Sequence, residues 1–166
     1  MKLDRLFAVG LLGVGLAVPT ALADTLASGI ALYQQGKFAE AEAALQGAAG
    51  AEAQAYLAAS RVRQRKFAPA EEPARAAVAA LPTHDVAVAA LGGCLVGLQK
   101  YDDAVAAMSA ALEKQNDLAY AYYWRGMAYN GKKDAPRAIE DLNTFLKLAP
   151  KAPEADSVRQ VLATLG

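Results

Sequence analysis

The chain has 166 residues, of which 55% are hydrophobic and 20% charged, and its 17 basic residues balance 17 acidic ones. This composition is too apolar for a disordered chain, and the length suffices for one domain with a hydrophobic core. Because the formal net charge is zero and no basic patch stands out, we do not expect a nucleic acid as the partner. Abundant Ala and scarce β-branched and aromatic residues favour helices over sheets and predict an all-α protein.

The N-terminal segment, residues 1–23, has the pattern of a secretory signal peptide. Lys2 and Arg5 precede an uncharged run that ends in small residues up to Ala23, as is typical of signal peptides. We therefore expect cleavage after Ala23, a periplasmic or secreted location, and no stable membrane span in residues 24–166. The alternative is an uncleaved anchor, but the run is short, contains glycine and proline, and falls below the usual span of about 20 strongly apolar residues.

The remaining chain repeats itself every 34 residues. A shift of 34 superposes Ala70, Ala104 and Ala138, and a shorter copy that begins near residue 24 falls into phase after a shift of 29. Apolar residues at helical spacing predict two helices joined by a short turn in each unit. The predicted organisation is four repeats at 24–50, 51–84, 85–118 and 119–152, and a capping helix at 153–166.

This pattern resembles the tetratricopeptide repeat, and residues 119–150 are the best copy. They carry a small residue in the first helix, Gly126, an alanine in the second helix, Ala138, and a terminal proline, Pro150. The resemblance implies an all-α fold: a right-handed α-solenoid of antiparallel helix hairpins, a superhelix of tetratricopeptide repeats with a C-terminal capping helix. It also implies that the first helices of the hairpins line a concave groove.

Two residues of the second repeat depart from the family pattern. Arg61 replaces an apolar residue in a column that the core uses, and Pro73 lies inside a predicted helix. Proline has no backbone N–H and its ring clashes with the preceding turn of a helix. We therefore expect Pro73 to kink the second helix of this repeat or to delay its start.

The sequence does not point to catalysis, so we expect no enzyme, no catalytic residue, no cofactor and no metal site. A hydrolytic or metal site needs several converging ligands or nucleophiles, and the chain has a single histidine, His84, and a single cysteine, Cys94. We interpret His84 as a solvated turn residue next to Asp85, which we expect to cap the following helix. We interpret Cys94 as a small buried side chain between helices.

The resemblance implies that the groove is where a partner binds. The candidate partner-binding residues are Tyr33, Arg63, Tyr120, Tyr123, Met127 and Asn130. The apolar area of Tyr120, Tyr123 and Met127, on the first helix of the last repeat, exceeds what the core there requires. Such surplus apolar area favours a contact site. The alternative is that the capping helix or a neighbouring repeat covers them. The groove lacks the set of Lys, Asn and Arg with which some family members hold a C-terminal carboxylate.

These patterns favour a non-enzymatic protein–protein interaction module of the bacterial cell envelope, which binds a partner protein or peptide in its groove. One alternative is a self-assembling scaffold, in which copies of the chain stack into a homo-oligomer. Another is a chaperone-like adaptor for secretion or assembly. The adaptor is less favoured because such chaperones are cytoplasmic, whereas the predicted signal peptide indicates export.

Overall fold

The computed structural model describes residues 20–166, with side chains from residue 25 onward. The predicted signal peptide lies outside the described residues except for 20–23, whose backbone starts the first helix. The described part of the chain has nine α-helices and no strand, which confirms the predicted all-α class. The helices are α1 (Thr20–Gln34), α2 (Phe38–Leu45), α3 (Ala51–Arg63), α4 (Phe67–Ala80), α5 (Asp85–Gly97), α6 (Tyr101–Lys114), α7 (Ala119–Gly131), α8 (Ala135–Leu148) and α9 (Ala155–Leu165).

The helices form two layers. The odd-numbered helices α1, α3, α5 and α7 pack side by side, and each even-numbered helix packs against its hairpin partner and against the next odd-numbered helix. Within the described residues, the backbones of α2, α4, α6 and α8 do not approach one another closely, and α4 and α6 are linked through the long side chains of the exposed ion pair between Arg75 and Asp103. The outer layer is therefore spread apart while the inner layer is closed, which is the curvature of an α-solenoid with the odd-numbered helices on its concave side.

The hairpin turns repeat the same backbone geometry. One residue in each turn has a positive φ: Gly36 (77°), Arg65 (61°), Gln99 (59°) and Lys133 (62°). Only glycine adopts this region without steric cost, and a side chain there costs about 1 kcal/mol or more. The last three positions are 34 residues apart, so the backbone shows the same period as the sequence.

Small residues allow the helices to approach closely. The alanine column at Ala41, Ala70, Ala104 and Ala138 is fully buried, as the repeat pattern predicts. A Cβ atom added to Gly126 would lie 2.9 Å from Cγ of Leu142 in the same hairpin. A larger residue at such a position would force the two helices apart.

Arg61 and Pro73 are connected in the structure. Helix α4 starts at Phe67 and continues through the buried Pro73 to Ala80, so the expectation of a delayed start is wrong. Pro73 has no N–H to donate to the carbonyl of Pro69 one turn earlier. Nη1 of Arg61 donates to that carbonyl instead, at 2.8 Å. The arginine thus replaces the hydrogen bond that the proline removes.

The last helix, α9, packs against α8. Its buried Val158 contacts the cluster formed by Leu142 and Phe145, so the end of the array is covered by an amphipathic helix as a capping element requires. In the described part of the chain, the helices are too short or too polar to cross a lipid bilayer.

Candidate functional site

A cavity of about 170 Å³ opens on the concave face, between α1, α3, α5 and α7. We call it the groove cavity. Its walls are mostly apolar, and aromatic and charged side chains also line it. The lining residues are Tyr33, Ala59, Val62, Arg63, Asp85, Val86, Ala89, Ala90, Tyr120, Trp124 and Glu154.

The cavity follows from where small and large residues stand on the inner helices. Residues three and four positions apart lie on one face of a helix, so Val86, Ala89 and Ala90 face the cavity from α5. The Trp124 ring crosses α5 where that helix has no side chain: a Cβ atom on Gly93 would lie 2.9 Å from Cζ2 of Trp124 and from Cγ1 of Val62. The glycine therefore allows the indole to form one wall.

Glu154 ties the C-terminal segment to the second repeat across the cavity. Oη of Tyr120 donates to Oε2 of Glu154 at 2.8 Å, and Nη1 of Arg63 lies 3.5 Å from Oε1. The Arg63 guanidinium also lies over the Phe38 ring, 5.2 Å from its centroid. One carboxylate immediately before α9 thus contacts both α3 and α7.

The tyrosines around the cavity remain protonated at neutral pH. Burial raises the pKa of Tyr33 above its usual value of 10. Burial, followed by the hydrogen bond to the Glu154 carboxylate, raises the pKa of Tyr120. Both effects disfavour the phenolate. Tyr33 and Tyr120 therefore offer apolar rings with protonated hydroxyls rather than bases, and Tyr120 donates its hydroxyl to Glu154.

Asp85 lines the cavity with an exposed carboxylate. It is the first residue of α5, and the cap of that helix is His84, whose Nδ1 accepts from the N–H of Ala87 at 3.4 Å. The expectation that Asp85 caps the helix is therefore wrong, because His84 has the extended backbone of a cap while Asp85 is already helical. Within the described residues, the Asp85 carboxylate has no hydrogen-bond or ion-pair partner.

The structure brings three of the six candidate partner-binding residues together. Tyr33, Arg63 and Tyr120 all line the groove cavity. Tyr123 and Met127 pack instead against the cluster of α8 and α9 residues. Asn130, half-buried near the end of α7, is not among the lining residues. Partner binding by any of the six residues stays a prediction.

The packing of Tyr123 supports the alternative in which its ring belongs to the interior of the last hairpin. Its centroid is 5.1 Å from that of Phe145 and 4.6 Å from that of Trp124. Aromatic rings at these distances and tilted orientations stabilise each other beyond the area they bury. Burial also raises the pKa of Tyr123, as expected for a ring largely removed from water.

Sequence reasoning missed Asp85, Trp124 and Glu154 as groove residues. Trp124 stands three positions before Met127 and four after Tyr120, so helical spacing could have placed it beside that stripe. Glu154 had no such signal, because its contacts with Arg63 and Tyr120 depend on how the whole array curves.

Cys94 is buried, which confirms the prediction made for it. Its Sγ donates to the backbone carbonyl of Phe67 at 3.1 Å, and burial raises the pKa of the thiol to about 11. A thiol protonated at neutral pH is a poor nucleophile and metal ligand. In the part of the chain that the structure describes, no three potential metal-ligating side chains of His, Cys, Asp or Glu come together.

Comparison with known proteins finds similarity to one family in sequence and to several solved structures in fold. Residues 90–153 match a family model described as Tetratricopeptide repeat. A segment of 83 residues, 46% of this chain, is 35% identical to Tetratricopeptide repeat protein 13 of Homo sapiens. The match spans 10% of that protein's length, so the similarity concerns a few repeats and not the whole human protein.

Several solved bacterial structures have a similar fold. TTC0263, a thermophilic TPR protein of Thermus thermophilus, matches with a TM-score of 0.72 and 21% identity over 87% of this chain and 80% of that chain. The pilF protein of Pseudomonas aeruginosa gives 0.70 and 22% over 88% and 68%. MamA of Desulfovibrio magneticus RS-1 gives 0.67 and 19% over 87% and 83%. At these identities the similarity establishes the arrangement of the helices.

Proposed function

The chain is a tetratricopeptide repeat protein, and from this premise we propose that it binds an extended segment of a partner protein in the groove cavity, without catalysing a reaction. Solenoids of this kind present extended concave surfaces for binding. Fold alone does not decide function, so the support comes from the site: a cavity of about 170 Å³ with apolar walls opens on the concave face.

The lining of the cavity suits a protein segment. Val62, Val86 and Ala89 offer apolar walls, and the tyrosines at positions 33 and 120 add rigid rings with a polar end. Interfaces between proteins use this combination of a desolvated apolar centre and aromatic residues with hydrogen-bonding groups at the margin. The buried thiol of Cys94 and the protonated phenols supply no activated nucleophile or base.

Photo-crosslinking in cells tests whether the groove is occupied. A photoreactive phenylalanine analogue replaces Tyr33, which lines the cavity. The same analogue at Tyr101, a half-buried ring that packs against Gly131 away from the cavity, is the matched control. We expect adducts with a distinct foreign protein from position 33 and not from position 101. Adducts with a second copy of the chain would instead favour the self-assembling scaffold.

A cavity-filling variant shows whether the adduct depends on the groove. Ala89→Phe places a ring in the cavity, and Ala106→Phe adds the same ring at an exposed position on α6. We expect the adduct from Tyr33 to disappear in the first variant and to persist in the second. Equal yields in both variants would contradict binding in the groove cavity.

We also propose that the protein acts in the bacterial cell envelope, on the basis of the signal-peptide pattern in residues 1–23. Cleavage after Ala23 would leave α1 with Asp24–Gln34, which retains Tyr33 at the cavity. Fractionation of the native host and intact mass spectrometry test this location. A periplasmic or secreted protein without residues 1–23 is expected, and a full-length cytoplasmic protein would contradict export.

A further inference from the structure

Three charged side chains line the groove cavity, and two of them neutralise each other. Arg63 is paired with Glu154 at 3.5 Å, and the Glu154 carboxylate also accepts the Tyr120 hydroxyl. Asp85 has no such partner within the described residues, and its side chain is exposed. The charge that the cavity presents to a ligand is therefore the single negative charge of Asp85.

The aromatic lining adds a second preference for positive charge. Tyr33, Tyr120 and Trp124 all contribute to the cavity walls. The faces of such rings carry negative electrostatic potential and attract ammonium and guanidinium groups. A lysine or arginine also has an aliphatic stem, which packs on apolar surfaces while its charged end stays near water. The stem would lie against Val62, Val86 and Ala89, beside the Asp85 carboxylate.

We propose that the groove cavity accepts a lysine or arginine side chain of the bound segment, flanked by aliphatic residues, and that Asp85 pairs with its charge. The inference rests on the proposed function, because it specifies the chemistry of the segment that the groove holds. An acidic segment is disfavoured since it would face the unpaired carboxylate of Asp85. It would also have to displace Glu154 from Arg63 and Tyr120 to find a positive charge.

Trp124 makes the inference measurable without a label. It is the only tryptophan of the chain and it forms part of the cavity wall, so its fluorescence responds to an occupied cavity. The probes are three blocked Gly/Ser peptides with a central Leu-X-Leu, in which X is Lys, Gln or Glu. We expect the Lys peptide to bind about fivefold more tightly than the Gln peptide, the size of one exposed charge pair, and the Glu peptide to bind most weakly. Added salt should reduce the difference.

Asp85→Asn tests whether Asp85 is the residue that pairs with the charged side chain of the peptide, and Glu52→Gln is its matched control. Both acidic residues are exposed and stand in the first turn of an inner helix, but Glu52 is not part of the cavity lining. We expect Asp85→Asn to abolish the preference for Lys over Gln while the Gln peptide binds as before. Glu52→Gln should retain the preference.

The remaining outcomes would overturn the inference. Equal binding of all three peptides, a preference for the Glu peptide, or a preference that survives Asp85→Asn would each do so. Absence of saturable binding by every peptide would overturn it as well. Each of these results is compatible with a partner adduct at Tyr33 that Ala89→Phe removes, so the groove function would stand. Absence of a foreign-protein adduct from position 33 when Ala89 is unchanged, or an adduct that persists in Ala89→Phe, would by contrast refute the proposed function itself.

Discussion

The junction between the first two repeats and the junction between the last two use different interactions on the same scaffold. Both carry an ion pair at the outer edge, Lys66 with Glu42 and Lys132 with Asp102. At the first junction the Glu42 carboxylate also accepts from the Arg61 guanidinium at 2.9 Å and from the Gln64 amide at 3.0 Å. At the last junction an aromatic ring packs directly onto a glycine instead: a Cβ atom on Gly92 would lie 2.5 Å from Cβ and Cγ of Trp124.

One set of equivalent positions in the repeats shows how the difference between the junctions affects the groove. The positions 63, 97 and 131 are spaced by 34 residues, and each faces an aromatic ring of the preceding hairpin. Gly97 and Gly131 leave no room for a Cβ atom, which would lie 2.5 Å from the rings of Phe67 and Tyr101. Arg63 instead extends over the Phe38 ring. The first junction is looser and has room for the charged side chain of Arg63 at the groove. At the later junctions the aromatic ring lies directly on the glycine, and no side chain fits between them.

Substitutions at the last junction should have the largest effects on stability. Trp124→Ala removes a large ring and should lower the free energy of unfolding by about 3 kcal/mol or more. Gly92→Ala should lower it by about 1–3 kcal/mol, since the new Cβ atom has no space. In the double variant the ring atoms that the new Cβ atom would meet are gone while Cβ of residue 124 remains, so the clash is partly relieved and the combined cost should be less than the sum of the two. Urea unfolding followed by far-ultraviolet circular dichroism measures all three.

Ala106→Gly is the control for this cycle, because Ala106 is exposed on α6 and has no part in the junction. Its cost of about 1 kcal/mol from helix propensity should be the same with and without Trp124. Additive costs for Gly92→Ala and Trp124→Ala would contradict the close contact between the two residues.

The first junction should depend on Arg61. Arg61→Met leaves the half-buried Glu42 carboxylate with fewer donors and leaves the Pro69 carbonyl without its partner, so we expect a loss of about 2–3 kcal/mol. Pro73→Ala restores a backbone N–H for that carbonyl. The loss caused by Arg61→Met should therefore be about 1 kcal/mol smaller when Pro73→Ala is present. The exposed Arg65, changed to Met, serves as control, and an equal loss in both backgrounds would mean that Arg61 does not compensate for the proline.

The sequence predicts what depends on local pattern and misses what depends on the curvature of the array. Helix type, the short turns and the buried alanine column follow from residues a few positions apart. In the sequence, Arg61 and Pro73 are two separate deviations from the repeat pattern. Only the structure places the Arg61 guanidinium at the Pro69 carbonyl. Glu154 reaches Arg63 across two intervening repeats, a contact without any periodic signal.

The stability of the first junction should depend on pH. The hydrogen bond from Lys66, with those from Arg61 and Gln64, holds the pKa of Glu42 below its usual 4.5. A carboxyl with a lowered pKa in the folded state stabilises the protein above the unfolded value and loses this contribution as the pH falls through the folded value. We expect Glu42→Gln to cost about 1–2 kcal/mol at neutral pH and progressively less below pH 4.5. Chemical unfolding at a series of pH values measures the difference from the native protein.

Glu40→Gln removes one negative charge from an exposed position of the same helix and controls for the change in net charge. The native protein and Glu42→Gln should converge in stability at the acid end of the series. A constant difference at all pH values would show that the cost of the substitution does not come from the ionised carboxylate.

Glu154 connects the charged first half of the array to the aromatic second half, and its removal should have the smallest of these effects. Glu154→Ala deletes the hydrogen bond from Tyr120 and the ion pair with Arg63, which is about half exposed, so we expect a loss of about 1 kcal/mol. Amide hydrogen exchange should accelerate in α9, because the backbone of α9 approaches only that of α8 within the described residues and the Glu154 carboxylate is its polar tie to α7 and α3. Asp156→Ala, which breaks an exposed pair with Arg159 within α9, is the matched control. If Glu154→Ala leaves exchange in α9 like that of the control, the end helix is held by Val158 and its apolar contacts, and the two halves of the array are joined through the inner helices without the carboxylate.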